Sequence, residues 1–371
     1  MNRSQLQLLD CGDSLREPNA QVTGRSATLR LFRPYFVVGL LFCLRAYAAD
    51  QIEVRGGKAI VGKILSESPV EVVVQTQSGP VTVAVNRIAG VRYDGQGATM
   101  TQARILEDAY QLNRTVEEYA RAQGELHDKP LVLTAARFGE ARALARLALD
   151  EAIEVDAAID KMRDYLARHS DSRQYYAARE FLGRLYLLKQ DYKAAAAEFE
   201  ELAKAPWPEA QRGAVVYQSR LARAQNNLDE AIRDLEDVAA AEPQTPEESM
   251  VQCEALLEIA ACRRSQGRHD DEIAALEKVV AHYDTNQSAS QAEAYLALGE
   301  AYRATRKPKE ALFAILHVDL LFASHKELHA RALYNLVQLW NELGHAERAT
   351  AALKALKSEY PNSPWTKKLD H

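Results

Sequence analysis

The chain has 371 residues, of which 26% are charged and 47% hydrophobic, an ordinary globular composition with room for two domains. Its net charge of −6 argues against a nucleic-acid or anionic-lipid surface, which would need a basic excess. No run past residue 50 approaches the ~20 apolar residues that span a bilayer, so the mature body is expected to be soluble, with no stable membrane span.

Residues 1–49 read as a secretory signal. Arg25, Arg30 and Arg33 precede the apolar run Tyr35 to Leu44, and Ala46-Tyr47-Ala48-Ala49 supplies small residues for cleavage after Ala48 or Ala49. A membrane anchor is the competing reading, and the short apolar core argues against it. The segment carries six arginines against three acids, so its loss takes the net charge to about −9. The expected location is the periplasm or another envelope compartment.

Residues 50–95 differ from all that follows. Ile52-Glu53-Val54, Ile60 to Leu65, Val70 to Val74, Val81 to Val85 and Ile88 to Tyr93 are short β-branched runs bounded by Gly56-Gly57 and Ser78-Gly79-Pro80. That pattern predicts a small antiparallel sheet, and its order is similar to an SH3-like or Sm-like barrel. A unit this small buries little surface, so it is expected to lean on the helical body or to self-associate. Residues 96–139 follow as a helical connector, with Gln96-Gly97-Ala98 as a hinge and a first helix around Ala103–Gly124.

From Thr101 onward apolar residues recur at three- and four-residue steps, which predicts helix throughout. Residues 140–368 also repeat. Ala195, Ala231, Ala311 and Ala349 mark one position in the second helix of each pair. Phe199, Leu235, Ile315 and Leu353 lie four residues later, and Gly183, Ser219, Gly299 and Val337 twelve earlier. Glu272 occupies the same slot in a further unit. Two antiparallel helices approach closely only where side chains are small, and large apolar neighbours fill the space beside the crossing. Gly267, Gly344, Asn226 and Lys307-Pro308 are the expected turns.

Leu182-Gly183-x-x-Tyr186 with Tyr192, Ala195 and Phe199, and Leu298-Gly299-x-x-Tyr302 with Ala311, resemble the tetratricopeptide repeat family over residues 140–365. The family period is ~34. Here the landmarks stand 36, 41, 39 and 38 apart, and Glu272 replaces the small residue, which puts that unit's close crossing in doubt. Tyr360 to Pro364 and His169 to Ser172 look like the inter-repeat turns of bacterial envelope repeat proteins. The resemblance implies a mainly α fold, a solenoid of five or six helical hairpins after the β unit. It also implies a non-enzymatic scaffold whose first helices line a groove that grips another protein or peptide segment.

On that groove face the resemblance places Arg184, Arg220, Arg223, Arg264 and Arg303 in one stripe, continued by Tyr334 and Asn341. Guanidinium forks suit an acidic segment or the terminal carboxylate of a polypeptide. Glu180, Glu254, Glu293 and Glu300 lie near the same face and offer the alternative that the arginines pair internally. If the stripe binds, charge reversal at Arg220 and Arg223 is expected to weaken partner binding with helicity intact. The rival function is a homo-oligomeric assembly subunit with the β unit as its oligomerisation module.

No catalytic residue is proposed: G-x-S-x-G, Walker, H-E-x-x-H and C-x-x-C patterns are all missing. No cofactor and no metal is expected. His325 and His329 share a helix face, but nothing fixes His317 as a third ligand, so they are read as a solvated inter-repeat surface. Cys253 and Cys262, nine residues apart on one helix, stand roughly 13 Å apart in rise and should not pair.

Overall fold

The β-branched runs form five strands: β1 (Asp50–Val54), β2 (Ile60–Glu67), β3 (Glu71–Thr76), β4 (Gly79–Ala84) and β5 (Ile88–Arg92). The structure, a computed structural model, describes residues 49–150, 153–281, 288–361 and 363–369. The expected leader therefore lies outside the described residues apart from Ala49. The strands make one antiparallel sheet in the order β4-β3-β2-β1-β5. Ile52 is opposite Ile60 on one side and Val91 on the other. Pro80 is tolerated because β4 is an edge strand.

The expected barrel is not closed. β4 and β5 are both edges, and no ladder joins them. The inner face is covered by helices instead of by the sheet itself. Ile52, Ile64, Val72 and Val91 pack with Met100, Tyr119, Leu126, Val132 and Ala136 in one core. A sheet must bury its apolar face against some second layer, and here the first three helices provide it. The unit thus leans on the helical body, as its size requires.

Beyond Arg92 the described residues hold no strand. The helices are α1 (Gly97–Asp108), α2 (Leu112–Glu125), α3 (Pro130–Leu149), α4 (Val155–Arg168), α5 (Tyr175–Leu188), α6 (Tyr192–Leu202), α7 (Pro208–Ala224) and α8 (Leu228–Ala240). They continue as α9 (Pro246–Ser265), α10 (His269–Ala281), α11 (Ser288–Ala304), α12 (Pro308–Leu321), α13 (Lys326–Glu342), α14 (Ala346–Glu359) and the short α15 (Pro364–Lys367). The single helix expected around Ala103–Gly124 is two, broken where Tyr110 takes φ +56°. The expected 139/140 boundary falls inside α3.

One turn closes hairpin after hairpin. Gln190, Asn226, Gly267, Arg306 and Gly344 all adopt positive φ. The next residue's N–H then reaches back five residues: Asp191 to the Tyr186 carbonyl at 2.9 Å, Asn227 to Ala222 at 2.8 Å, His345 to Trp340 at 2.8 Å. This is the Schellman closure, which satisfies orphan carbonyls at a helix end. At the Lys307-Pro308 step the left-handed residue is Arg306, and Pro308 opens α12 at its first turn.

The crossings fall on the small landmarks. Ala195, Ala231, Ala311 and Ala349 are buried, and Phe199, Leu235 and Ile315 are buried beside them. Glu272 does not open the α9–α10 crossing. It is fully buried, and its carboxylate accepts from Arg264 Nε at 2.6 Å and sits 2.9 Å from His269 Nδ1. The core divides into one cluster per pair or two. Tyr186, Tyr295 and Tyr302 each pack against two clusters and join them, the nearest-neighbour coupling of a stacked array. Cys253 and Cys262 are buried and form no disulfide; burial pushes the Cys262 thiol up to about 11.

Candidate functional site

First helices of neighbouring pairs touch at α3 with α5, α7 with α9, α9 with α11 and α11 with α13, and α5 meets α7 through the hydrogen bond from the Tyr217 hydroxyl to Glu180. This puts α5, α7, α9, α11 and α13 on the inner rank of the stack. Arginine and glutamate recur on it at inter-helix distance, so side chains from neighbouring repeats meet.

Each stripe arginine has a carboxylate or amide partner. Arg184 Nη1 donates to Glu180 Oε1 at 3.3 Å and lies over the Phe181 ring. Arg220 of α7 donates to Glu258 of α9 at 3.4 Å and stands 3.8 Å from Glu254. Arg223 also donates to Glu258, through the other oxygen. Arg264 joins Glu272 at 2.6 Å to Glu300 at 3.1 Å, and Arg331 donates to Glu300 from α13. Arg303 donates to Gln338 at 2.7 Å and lies 3.5 Å from Glu342. The internal pairing left open by the sequence is therefore what the fold contains.

The last two stripe residues behave differently. Tyr334 packs against Trp365 of α15, ring centroids 5.4 Å apart, and Asn341 is exposed near the end of α13. The helix α15 thus covers the ring that was expected to face a partner.

Burial tunes these groups. It raises the Glu254 carboxyl above the usual range, with Arg220 opposing. It also raises Tyr217 well above 10, and Glu180, which accepts from the Tyr217 hydroxyl at 2.7 Å, adds to that. Burial alone would pull Arg220 down, but Tyr217, Glu254, Glu258 and Glu293 together hold it above its usual value. Arg220 also lies 5.1 Å from the centre of the Tyr217 ring. The acid that matters most, Glu258, has no distinctive sequence context. Only its place one repeat along from Arg223 could have pointed to it.

The histidines go three ways. His329 is buried, with Nε2 2.9 Å from Asp319 and Nδ1 2.7 Å from the Tyr360 hydroxyl, so it is not the solvated surface residue expected. His325 meets Ser288 at 2.9 Å, and His317 stacks on Tyr295. Where the sheet borders the array, Asn86 donates to Glu209 Oε1 at 2.6 Å at the start of α7. Among the described residues no helix is long and apolar enough to cross a membrane.

Tetratricopeptide repeat family models match residues 218–290 and 331–363. No curated protein matches this sequence. Among solved structures, it is similar to a tetratricopeptide repeat protein from Parabacteroides merdae at 16% identity and TM-score 0.46, covering 73% of this chain and 95% of that one. It is also similar to PilW, a type IV pilus biogenesis factor, at 16% identity and TM-score 0.43 over 64% and 99% of the two proteins. A Rap protein complexed with competence and sporulation factor matches at 14% identity and TM-score 0.46, over 74% and 79%. The protein is a mainly α chain in which tetratricopeptide repeats, at 218–290 and 331–363, sit within an array of helical hairpins preceded by a small antiparallel sheet.

Proposed function

We propose that this protein is a protein–protein interaction scaffold of the cell envelope. Residues 1–49 would be its leader, 50–95 its β unit, 96–139 its connector and 140–368 its repeats. A partner's extended segment lies along the inner rank of first helices, touching Arg184, Arg220, Arg223, Arg264 and Arg303. The observation that carries this reading is the row of guanidiniums between repeats, each held by a resident acceptor and, at Arg184 and Arg220, set against an aromatic ring. Held this way, an arginine loses little freedom when it gains another contact. At Arg184 and Arg303 the resident acids Glu180 and Glu342 remain in contact with water, so these two pairs are open enough to exchange an acid for one from a partner. Because the ladder holds about as many carboxylates as guanidiniums, a segment bearing both signs fits it better than a purely acidic one.

Photo-crosslinkers placed at Arg184 and Arg303 should capture a common partner in cells, and none should be captured from a site on α12. Arg184→Ala with Arg303→Ala should lower partner recovery about tenfold at an unchanged melting temperature. Full recovery with both arginines gone would leave the stripe as solvated surface.

A second reading has its own support. The sheet has two unpaired edges and exposes Val61, Leu65 and Val70, features that invite strand pairing between copies. Deleting residues 50–95 is a poor test, because it would uncover the core shared with α1–α3. Val61→Lys with Leu65→Lys is cleaner. Light scattering should show the native protein as a monomer, the same as this variant. A native dimer that the lysines dissociate would favour the assembly role.

A further inference from the structure

A cavity of ≈ 570 Å³ lies where β5 meets α1 and α3 and reaches Arg173 and Gln174 at the start of α5. That is the size of a small-molecule pocket. Its walls divide into two kinds. Met100, Ile105, Tyr119 and Phe138 supply apolar surface, and Arg92, Arg104, Arg142, Arg146 and Arg173 supply guanidiniums.

Two acids of this region are more buried than the cations they hold. Glu107 keeps 7% of its side-chain surface, while Arg142 and Arg146, which it holds at 2.6 and 3.1 Å, keep 30% and 34%. Glu67 likewise keeps 4% beside Arg173 at 3.5 Å. What the cavity offers a visitor is thus mainly the outer side of paired arginines. Glu53, which pairs with Arg92 at 2.9 Å, also lines it, as do Glu107 and Asp108.

Arg104 is the exception among the five. Among the described residues it makes no hydrogen bond or ion pair, although its side chain is half-buried on the cavity wall. Burial lowers its affinity for its proton, Tyr119 and Tyr93 oppose that, and Arg173 and Arg142 act on it as like charges. Holding a guanidinium there without a counter-ion weakens the fold, since desolvation and repulsion act in the same direction. A bound anion removes both penalties, and the apolar wall beside Arg104 selects what else the anion carries.

We propose that this cavity binds a small organic carboxylate with an apolar body, its carboxylate on Arg104 and flanked by Arg142 and Arg173, its body against Ile105 and Phe138. Such a ligand touches α1, α3 and the turn at Arg173 that leads into α5, so it also ties these helices together.

The probe is 3-phenylpropionate, titrated by calorimetry into the full-length protein, with 3-phenylpropanamide and inorganic phosphate as separate arms. Saturable binding of the carboxylate, with a rise in melting temperature, is expected. The amide lacks the charge and phosphate lacks the body, so each should bind at least tenfold more weakly. Arg104→Gln should melt at or above the unliganded native protein, because it removes an unpaired, half-buried charge, and should lose at least tenfold in affinity. A drop in its melting temperature with affinity unchanged would make Arg104 a structural residue and overturn the proposal. So would equal binding of the amide, or no saturable binding of the carboxylate at all.

Discussion

Gly183→Ala should lower the melting temperature by several degrees, although alanine is the better helix former. A Cβ at position 183 would stand 2.4 Å from Cε1 of Phe199 and 2.8 Å from its Cδ1. Phe199 is fully buried and stacked on Tyr217, ring centroids 5.1 Å apart and 12° from parallel. The ring has no room to retreat. Helix propensity favours the alanine by about 1 kcal/mol. Overpacking a filled core costs about 1–3 kcal/mol and occasionally more, so the clash wins. In an array of this size each kcal/mol moves the midpoint by about 2–4 °C. Gly213 provides the control. Nothing lies within 4 Å of a Cβ built there, so Gly213→Ala in α7 should raise the midpoint. Phe199→Leu frees space at the crossing, and combined with Gly183→Ala it should cost less than the two losses added, by at least about 0.5 kcal/mol. Strict additivity in thermal or denaturant unfolding would mean that the two residues do not share a crossing.

Gly183 was visible in the sequence because crossings obey a simple rule. Where two helices touch, one side chain must be small, and that requirement repeats with the hairpin. The rule located Ala195, Ala231, Ala311 and Ala349, all of which the fold buries. It misjudged Glu272, because it counts the size of a side chain but not the partners its end can find. The buried carboxylate is held across the pair by Arg264 of α9 and by His269, so a charged side chain is accommodated where a small one was expected. Turns show the same limit. Gly267, Gly344 and Asn226 announced left-handed backbone, whereas Gln190 and Arg306 adopt it with side chains that give no such signal. Non-glycine residues can take this conformation at a modest cost, and the packed hairpin on either side enforces it.

The sheet was legible strand by strand but not in its closure. Alternation sets which face of a strand is apolar, and says nothing about what covers that face. Tyr119 and Val132, from segments that read only as connector, fill the space a closed barrel would have filled with its own side chains. The site shows a parallel gap. Helical projection placed five arginines on one face, yet whether a charge is paired depends on the neighbouring repeat, about 35 residues away. Glu258 and Arg331 stood outside the stripe for that reason, and both complete pairs within it. The cavity at Arg104 gathers β5, α1 and α3 with Arg173, and its lining residues lie up to 121 positions apart, from Glu53 to Gln174. No local pattern reports such a meeting.

Reversing both Arg220 and Arg223 to glutamate should damage the fold before it reports on any partner, contrary to the expectation from sequence that helicity would survive. Both guanidiniums donate to Glu258, which keeps only 6% of its side-chain surface, while they keep 29% and 36% of theirs. Stripping the cations from a buried carboxylate costs about 3–5 kcal/mol. Partial solvent contact on the arginine side screens part of that, which leaves about 2–4 kcal/mol. Two added carboxylates beside Glu254 and Glu258 push in the same direction. The double variant should therefore melt well below the native protein and lose far-ultraviolet ellipticity at a lower urea concentration. Adding Glu258→Gln should restore much of the loss, because an amide in the same place needs no cation. A double reversal that melts with the native protein would show that Glu258 is reached by solvent, and that the α7–α9 pairs are surface decoration. If the loss and its rescue occur, weakened capture by this variant measures unfolding, and binding along the inner rank has to be read from Arg184 and Arg303, whose partners Glu180 and Glu342 stay in contact with water.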